Sequence, residues 1–176
     1  MAQRKCIIWG ATGQAKVAYE ILKYEGAEVV HLFDNNNAVK PPLPGVPLSF
    51  GPTGLESFIT KLPGDAKISE IDFVVAIGGA KGQDRQEISE YLKGHGFRAR
   101  PLIHPTAIIS PLSSMGESIQ VLAGSIVGPF VSIGSHTIIN TGANIPHGCC
   151  IGSRCHLGPS SALGGEVVIE DDVLLG

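Results

Sequence analysis

Residues 133–157 read I-G-S-H-T-I-I-N-T-G-A-N-I-P-H-G-C-C-I-G-S-R-C-H-L, with isoleucine or leucine at every sixth position. The same spacing of apolar residues extends from Ile103 to Leu175 without a break. A period of six fits neither the 3.6 residues of a helical turn nor the two-residue alternation of a strand. It predicts a parallel β-helix of hexapeptide repeats, in which each hexad forms one short strand and one corner.

Other positions of the hexad are also restricted. The residue after the apolar anchor is glycine in seven of thirteen hexads, and we interpret it as a corner residue whose backbone angles a Cβ would forbid. Small or β-branched residues usually lie two positions before the anchor, so we expect Cys149 and Cys155 to pack inward as small apolar groups. The four cysteines form no C-x-x-C pair, which argues against redox or metal chemistry.

The hexads continue to Gly176 without an atypical last coil. A solenoid needs a terminal repeat that shields its core. We therefore expect either a truncated chain or partner subunits that cover this end.

The sequence before residue 100 has a different pattern. A short apolar strand, Lys5–Trp9, precedes the glycine turn G-A-T-G-Q-A at residues 10–15 and an amphipathic helix that ends near Tyr24. A second strand follows and finishes on Asp34. Glycines at such a turn let a diphosphate approach the helix N-terminus, and an acid about twenty residues later can accept a sugar hydroxyl.

These patterns predict two domains and an α/β plus β fold class. Residues 1–100 are expected to form a small Rossmann-like nucleotide-binding domain with three or four parallel strands, and residues 101–176 the β-helix. A second glycine pair at Gly78 follows another apolar strand and is either a substrate contact or a simple turn. A redox dinucleotide domain normally needs two nucleotide-binding halves, so a diphosphate that belongs to a substrate fits better.

Composition excludes several partners. The net charge of -3 and the pI near 6.0 give no basic surface for nucleic acid. No apolar stretch is long enough to cross a membrane, and the first residues lack a signal-peptide pattern. We expect a cytoplasmic protein without nucleic-acid or membrane partners.

Three stretches resemble one known family. Residues 139–165, I-N-T-G-A-N-I-P-H-G-C-C-I-G-S-R-C-H-L-G-P-S-S-A-L-G-G, and the opening I-I-W-G-A-T-G-Q-A-K-V resemble nucleotide-sugar acetyltransferases of the left-handed β-helix class, a group related to sialic-acid O-acetyltransferases. Residues 103–110, I-H-P-T-A-I-I-S, are similar to the start of that family's β-helix. The resemblance implies a left-handed coil and a homotrimer whose active sites lie between subunits.

The resemblance also implies roles for individual residues. By position, His147 is the general base and Asn140 a polar contact near the sugar. Acetyl-CoA, the co-substrate, would contact His156, Gly164 and Gly165, with the Gly165 N–H as a candidate oxyanion donor. The nucleotide-sugar would be held by Gly10, Gly13, Gln14, Asp34 and Gly78.

Three positions depart from the family's pattern. Gly148 stands where the family usually has an acid after the histidine, Pro146 replaces the acid before it, and Gln14 replaces a histidine of the glycine turn. The histidine spacing does not bring three imidazoles together, so no metal is expected.

The sequence thus predicts acetyl-CoA-dependent N-acetylation of a nucleotide-linked amino sugar in bacterial glycan biosynthesis. The amine would attack the thioester directly, and a histidine can accept its proton at neutral pH. Three alternatives stay open at this point: O-acetylation of a sugar or sialic acid, a non-catalytic nucleotide-sugar-binding subunit, and an NAD(P)-dependent domain fused to a β-helix.

Overall fold

The computed structural model describes residues 3–64 and 66–176, which form two compact units. The first unit contains the described residues up to Ile77 together with Ile88–Arg100. The second unit contains Gly78–Glu87 and Pro101–Gly176. The change of unit after Arg100 lies at the predicted boundary, whereas Gly78–Glu87 groups with the hexapeptide repeats. Whether residues 1–100 and 101–176 are independent domains stays a prediction.

The first unit is built around a parallel sheet of five strands. In chain order these strands are β1 (Lys5–Trp9), β2 (Glu28–Asp34), β3 (Leu48–Phe50), β4 (Ile71–Val75) and β5 (Arg98–Ala99). They are arranged in the order β3-β2-β1-β4-β5. The side chains of β4 and the last four of β1 are buried, as expected for central strands covered on both faces. The expectation of three or four strands missed the short edge strands, whose three and two residues show no readable alternation.

The described residues also form three α-helices and one short 3-10 helix. They are α1 (Gly13–Tyr24), α2 (Gly51–Thr60), the 3-10 helix Ile68–Glu70 and α3 (Gly82–Gly94). The first helix begins at Gly13, the second glycine of the turn. Its buried side chains are Ala15, Ala18, Ile21 and Leu22, which recur at helical spacing.

The second unit is a stack of coils whose two-residue strands form three parallel sheets. The first sheet contains β6 (Leu102–Ile103), β9 (Gln120–Val121), β12 (Ile138–Ile139), β15 (His156–Leu157) and β17 (Leu174–Leu175). The second contains β7 (Ile108–Ile109), β10 (Ile126–Val127) and β13 (Asn144–Ile145). The third contains β8 (Ser114–Met115), β11 (Ser132–Ile133), β14 (Cys150–Ile151) and β16 (Val168–Ile169).

The register of these sheets explains the six-residue period. All their strand pairs are parallel, and Ile126 pairs with Ile108 on one side and Asn144 on the other. Each step is 18 residues, so three hexads make one coil. The hexapeptide pattern therefore predicted the strand spacing correctly.

The hexad anchors and the residues two positions before them form the core of the coils. Among the anchors, Val121, Ile139, Ile145 and Leu157 are completely buried. Burial of one such side chain contributes roughly 1.5–3 kcal/mol. The prediction for the two inward cysteines is confirmed, since Cys149 and Cys155 are free thiols with no exposed surface.

The glycine after the anchor has a different purpose from the one expected. Backbone angles in the left-handed region occur three residues after the anchor, at Ser118, Gly124, Phe130, His136, Gly142, Gly148, Arg154, Ser160, Glu166 and Asp172. Gly134 is not among them, but a Cβ there would lie 2.6 Å from the carbonyl carbon of Gly152 in the next coil. Glycine is needed at this position because two coils approach closely.

The close approach can be tested by adding one methyl group. Gly134→Ala should destabilise the protein by about 1–3 kcal/mol, the usual result of overpacking, because the opposing atoms belong to backbone. Gly164→Ala is the matched control, since it follows an anchor too but has no neighbour nearer than Val167 Cγ2 at 4.0 Å. Urea unfolding midpoints measure both effects. Equal destabilisation by the two substitutions would show that the close approach is not what selects glycine.

Candidate active site

His147 lies at the corner between β13 and β14, and its side chain is exposed. The glycine one coil further on leaves room for its ring. A Cβ on Gly165 would lie 2.6 Å from His147 Cε1 and 2.8 Å from Nε2. The imidazole therefore packs directly against the backbone of Gly165, and two of the predicted site residues lie together.

The Gly165 backbone can offer a hydrogen bond at this place. Within the described residues, no acceptor takes up its N–H. Gly164 beside it is also exposed and free of close neighbours. A ligand can thus approach this corner without meeting a side chain from either glycine.

An acidic side chain reaches the same corner from the next coil. The N–H of Glu166 donates to the carbonyl of His147 at 2.9 Å, and Glu166 Cγ lies 3.1 Å from where a Cβ of Gly148 would be. Glu166 has a φ of 60°, a conformation uncommon for residues other than glycine. Its Cγ therefore lies next to the place where a side chain at position 148 would begin. Sequence reasoning missed Glu166 because it is 19 residues away along the chain.

A second polar cluster surrounds His156, which is only 7% exposed. Its Nδ1 accepts the N–H of Gly79 at 2.8 Å, and its Nε2 lies 2.8 Å from the side-chain amide of Asn140. The predicted residues Asn140 and His156 are therefore in contact. The glycine that donates to His156 is Gly79. Among the described residues, no hydrogen bond is recorded between His156 and Gly78, the residue named from the sequence.

Electrostatics favour the uncharged form of the buried imidazole. Burial lowers the pKa of His156, and the nearby positive charge of Arg85 lowers this pKa further. A neutral ring is consistent with an Nδ1 that accepts a backbone N–H.

Arg85 is a buried residue that the sequence did not reveal. Only 2% of it is exposed, and burial lowers its pKa to about 10. Its guanidinium donates to backbone carbonyls at four residues: His136 at 2.9 Å, Arg154 at 2.8 Å, Cys155 at 2.9 Å and Gly79 at 3.3 Å. An arginine in an amphipathic helix normally suggests a solvated side chain, so no sequence signal indicated this role.

The two histidines lie on different parts of the coil surface. His147 is at the corner between the second and third sheets, while His156 lies within the first sheet. In a three-sided coil that corner is opposite the first sheet. One chain by itself does not bring His147 and His156 into a single site.

In the first unit, the two glycines of the turn differ in their surroundings. Gly10 has a φ of 105°, and a Cβ there would overlap the Ala76 carbonyl and lie 2.8 Å from its carbon. Packing against the neighbouring strand therefore explains this glycine. Gly13, at the start of α1, has nothing within 4 Å of its Cβ position, and Thr12 before it makes no side-chain cap. This helix N-terminus is open to a ligand.

Asp34 lies at the end of β2 and closes the same turn. Its Oδ2 accepts the N–H of Ala11 at 2.7 Å, and its Oδ1 accepts the N–H of Asn36 at 2.8 Å. Each oxygen keeps a second lone pair for a hydroxyl donor. Gln14 is half-buried in the first turn of α1.

A metal-ligand cluster and a membrane-spanning helix are both absent from the described residues. Residues 3–64 and 66–176 contain no group of three or more His, Cys, Asp or Glu side chains placed to hold a metal ion. No helix in the same ranges has the length and apolar character needed to span a bilayer.

No family model matches the chain, but curated proteins and solved structures do. GDP-perosamine N-acetyltransferase from Escherichia coli O157:H7 is 32% identical over 110 residues, which are 59% of this chain and 46% of that protein. The carnitine operon protein CaiE from Escherichia fergusonii is 33% identical over 92 residues, 45% of this chain and 46% of that protein. The matched part thus spans about half the length of these curated relatives.

Solved structures match more of the chain. PerB from Caulobacter crescentus, crystallised with CoA and GDP-perosamine, is 35% identical with a TM-score of 0.78, over 93% of this chain and 73% of PerB. The acetyltransferase domain of PglB from Neisseria gonorrhoeae has the same fold, with a TM-score of 0.75 at 20% identity, over 98% of this chain and 88% of that domain. The identity to a perosamine N-acetyltransferase, over nearly three quarters of its solved structure, shows that this chain belongs to the family of hexapeptide-repeat nucleotide-sugar acetyltransferases.

Proposed function

We propose that this protein is an acetyl-CoA-dependent N-acetyltransferase that acts on a nucleotide-linked amino sugar in bacterial glycan biosynthesis. The observation that carries the proposal is the exposed His147 imidazole, which is seated on the Gly165 backbone beside an unused N–H. The relative PerB, which binds CoA and GDP-perosamine in its crystal, supports the same substrate classes.

The reaction needs a base and a donor for negative charge, and this corner has both. His147 accepts the proton that the amine loses as its nitrogen bonds to the thioester carbon. The Gly165 N–H stabilises the oxyanion that forms on the thioester oxygen. As the carbon–sulfur bond breaks, His147 returns the proton to sulfur, and CoA leaves as a thiol. No covalent intermediate on the protein is required.

The nucleotide part is assigned to the first unit. The strand order β3-β2-β1-β4-β5 and the glycine turn before α1 support a Rossmann-like domain. The open N-terminus of α1 at Gly13 would face the diphosphate, with Asp34, Gln14 and Gly10 around the nucleotide-sugar. The expected contact of Gly78, which groups with the second unit, stays a prediction.

A homotrimer with a left-handed coil is the assembly we propose. It is supported by His147 and His156, which lie on different sides of one coil and can contribute to one site only across a subunit boundary. The acetyl-CoA would then contact His156, Gly164 and Gly165. Cytoplasmic location stays a prediction.

O-acetylation is the second candidate, and Glu166 favours it. A hydroxyl is harder to deprotonate than a free amine, so the missing acid at Gly148 argued for the amine. Glu166 Cγ lies 3.1 Å from the Cβ position of Gly148, and an acid at this corner from the next coil weakens that argument. The two candidates differ in the acceptor atom, so matched amino and hydroxyl sugars separate them.

Thiol release from acetyl-CoA tests the proposed base. With UDP-, dTDP- and GDP-linked 4-amino sugars, we expect release with at least one acceptor and a decrease in kcat/KM of about 10²–10⁴-fold in His147→Gln, the usual contribution of a general base. His95→Gln, a histidine of the first unit, is the matched control. Release with hydroxyl sugars only would favour O-acetylation, and nucleotide-sugar binding without any release would favour the non-catalytic subunit.

Gly165→Ala tests the seat of the imidazole. The added methyl would lie 2.6 Å from His147 Cε1 and must displace the ring, and misplacement by about 1 Å lowers kcat roughly 10²-fold. Because the residue is exposed, the free energy of unfolding should change by less than about 1 kcal/mol. Gly94→Ala, whose added methyl would have nothing within 4 Å, is the control. An unchanged kcat would argue against His147 as the base.

Gly13→Ala tests the nucleotide site. Alanine is the better helix former by up to about 1 kcal/mol, so stability should not fall, while the methyl obstructs the open helix N-terminus. We expect about tenfold weaker binding of the nucleoside diphosphate by calorimetry. Equal affinity in the variant and the wild type would place the diphosphate elsewhere.

A further inference from the structure

The imidazole of His156 lies between two groups that can both donate a hydrogen bond. The N–H of Gly79 points to its Nδ1 at 2.8 Å. The Asn140 amide lies 2.8 Å from its Nε2, while Asn140 Oδ1 accepts the N–H of Thr141 at 2.7 Å. A neutral imidazole has one donor and one acceptor, so it cannot accept at both nitrogens.

Arg85 holds the residue that carries the backbone donor. This guanidinium bonds the carbonyl of Gly79 at 3.3 Å and anchors itself on the carbonyls of His136, Arg154 and Cys155. The first turn of α3 approaches the coil closely, since a Cβ on Gly82 would overlap Arg154. The N–H of Gly79 belongs to the peptide before this carbonyl, so Arg85 acts on the donor indirectly, by holding Gly79 against the coil.

The side-chain donor can adapt. An asparagine amide exchanges its oxygen and nitrogen by rotation about one bond. Thr141 is exposed, so its N–H can bond to water if Asn140 Oδ1 leaves it. A backbone N–H can only donate, whereas the amide can also accept, so the donor at Nδ1 decides where the ring carries its proton.

We propose that Arg85, acting through Gly79, is a positioning residue that holds His156 as the neutral tautomer with its proton on Nε2. His156 then donates to Asn140 or to a bound ligand and does not act as a base. The burial and the charge of Arg85, which lower the pKa of His156, keep the ring in this neutral form at pH 7.

The consequence for catalysis rests on the proposed function. If the chain transfers acetyl groups, His147 is the histidine left to accept the proton, and His156 presents an N–H to the coenzyme. The tautomer itself does not depend on which reaction the protein performs.

The tautomer can be measured in the wild-type protein without a variant that threatens the fold. Nitrogen-15 NMR of histidine-labelled protein at pH 7.5, with His156→Gln used to assign the signal, distinguishes a protonated from an unprotonated ring nitrogen. We expect an unprotonated Nδ1 and a protonated Nε2 in His156. A proton on Nδ1 overturns the proposal.

Arg85→Lys tests the part played by the guanidinium. Lysine keeps the charge but cannot bond four carbonyls at once, so we expect the single-tautomer signal of His156 to change to an average of both tautomers. Arg98→Lys, an exposed arginine of the first unit, should leave the signal unchanged. If Arg85→Lys does so too, Arg85 is structural only.

The two proposals can fail separately. The expected tautomer together with no thiol release from any acceptor would contradict the acetyltransferase and leave the role of Arg85 standing. Active enzyme whose His156 carries its proton on Nδ1 would do the reverse.

Discussion

The spacing between stacked strands is the constraint on which the second unit depends. Neighbouring strands of a sheet lie about 4.8 Å apart, and each coil uses 18 residues. Every side chain at a corner therefore lies directly over the residue 18 positions away. A corner residue can be large only if its neighbours in the adjacent coils leave room for it.

This constraint explains how the candidate base is held. Gly128 in the coil before and Gly165 in the coil after both approach His147, one at its backbone nitrogen and one at its ring. The same stacking places Glu166 over Gly148, so the next coil supplies an acid at this corner. The chemistry of this corner belongs to three successive coils, and no single hexad contains it.

A different principle operates around His156. Here a buried arginine bonds backbone carbonyls on several segments. The arrangement holds Gly79, whose N–H donates to His156, against the coil. Buried guanidinium groups are stable when several acceptors satisfy them, and the charge of this one adds to burial in lowering the pKa of His156. The two imidazoles of the coils thus have different environments: His147 is exposed and His156 is buried and uncharged.

The sequence by itself determined the coil period and the inward cysteines, because hexads are local patterns that each repeat displays. Only the tertiary structure decided why glycine follows the anchor, that Glu166 stacks on Gly148, that Gly79 donates to His156, and that Arg85 bonds carbonyls of the coil. The short edge strands β3 and β5 also escaped prediction. These features depend on contacts between residues 18 or more positions apart, and a single contact of this kind leaves no periodic signal in the chain.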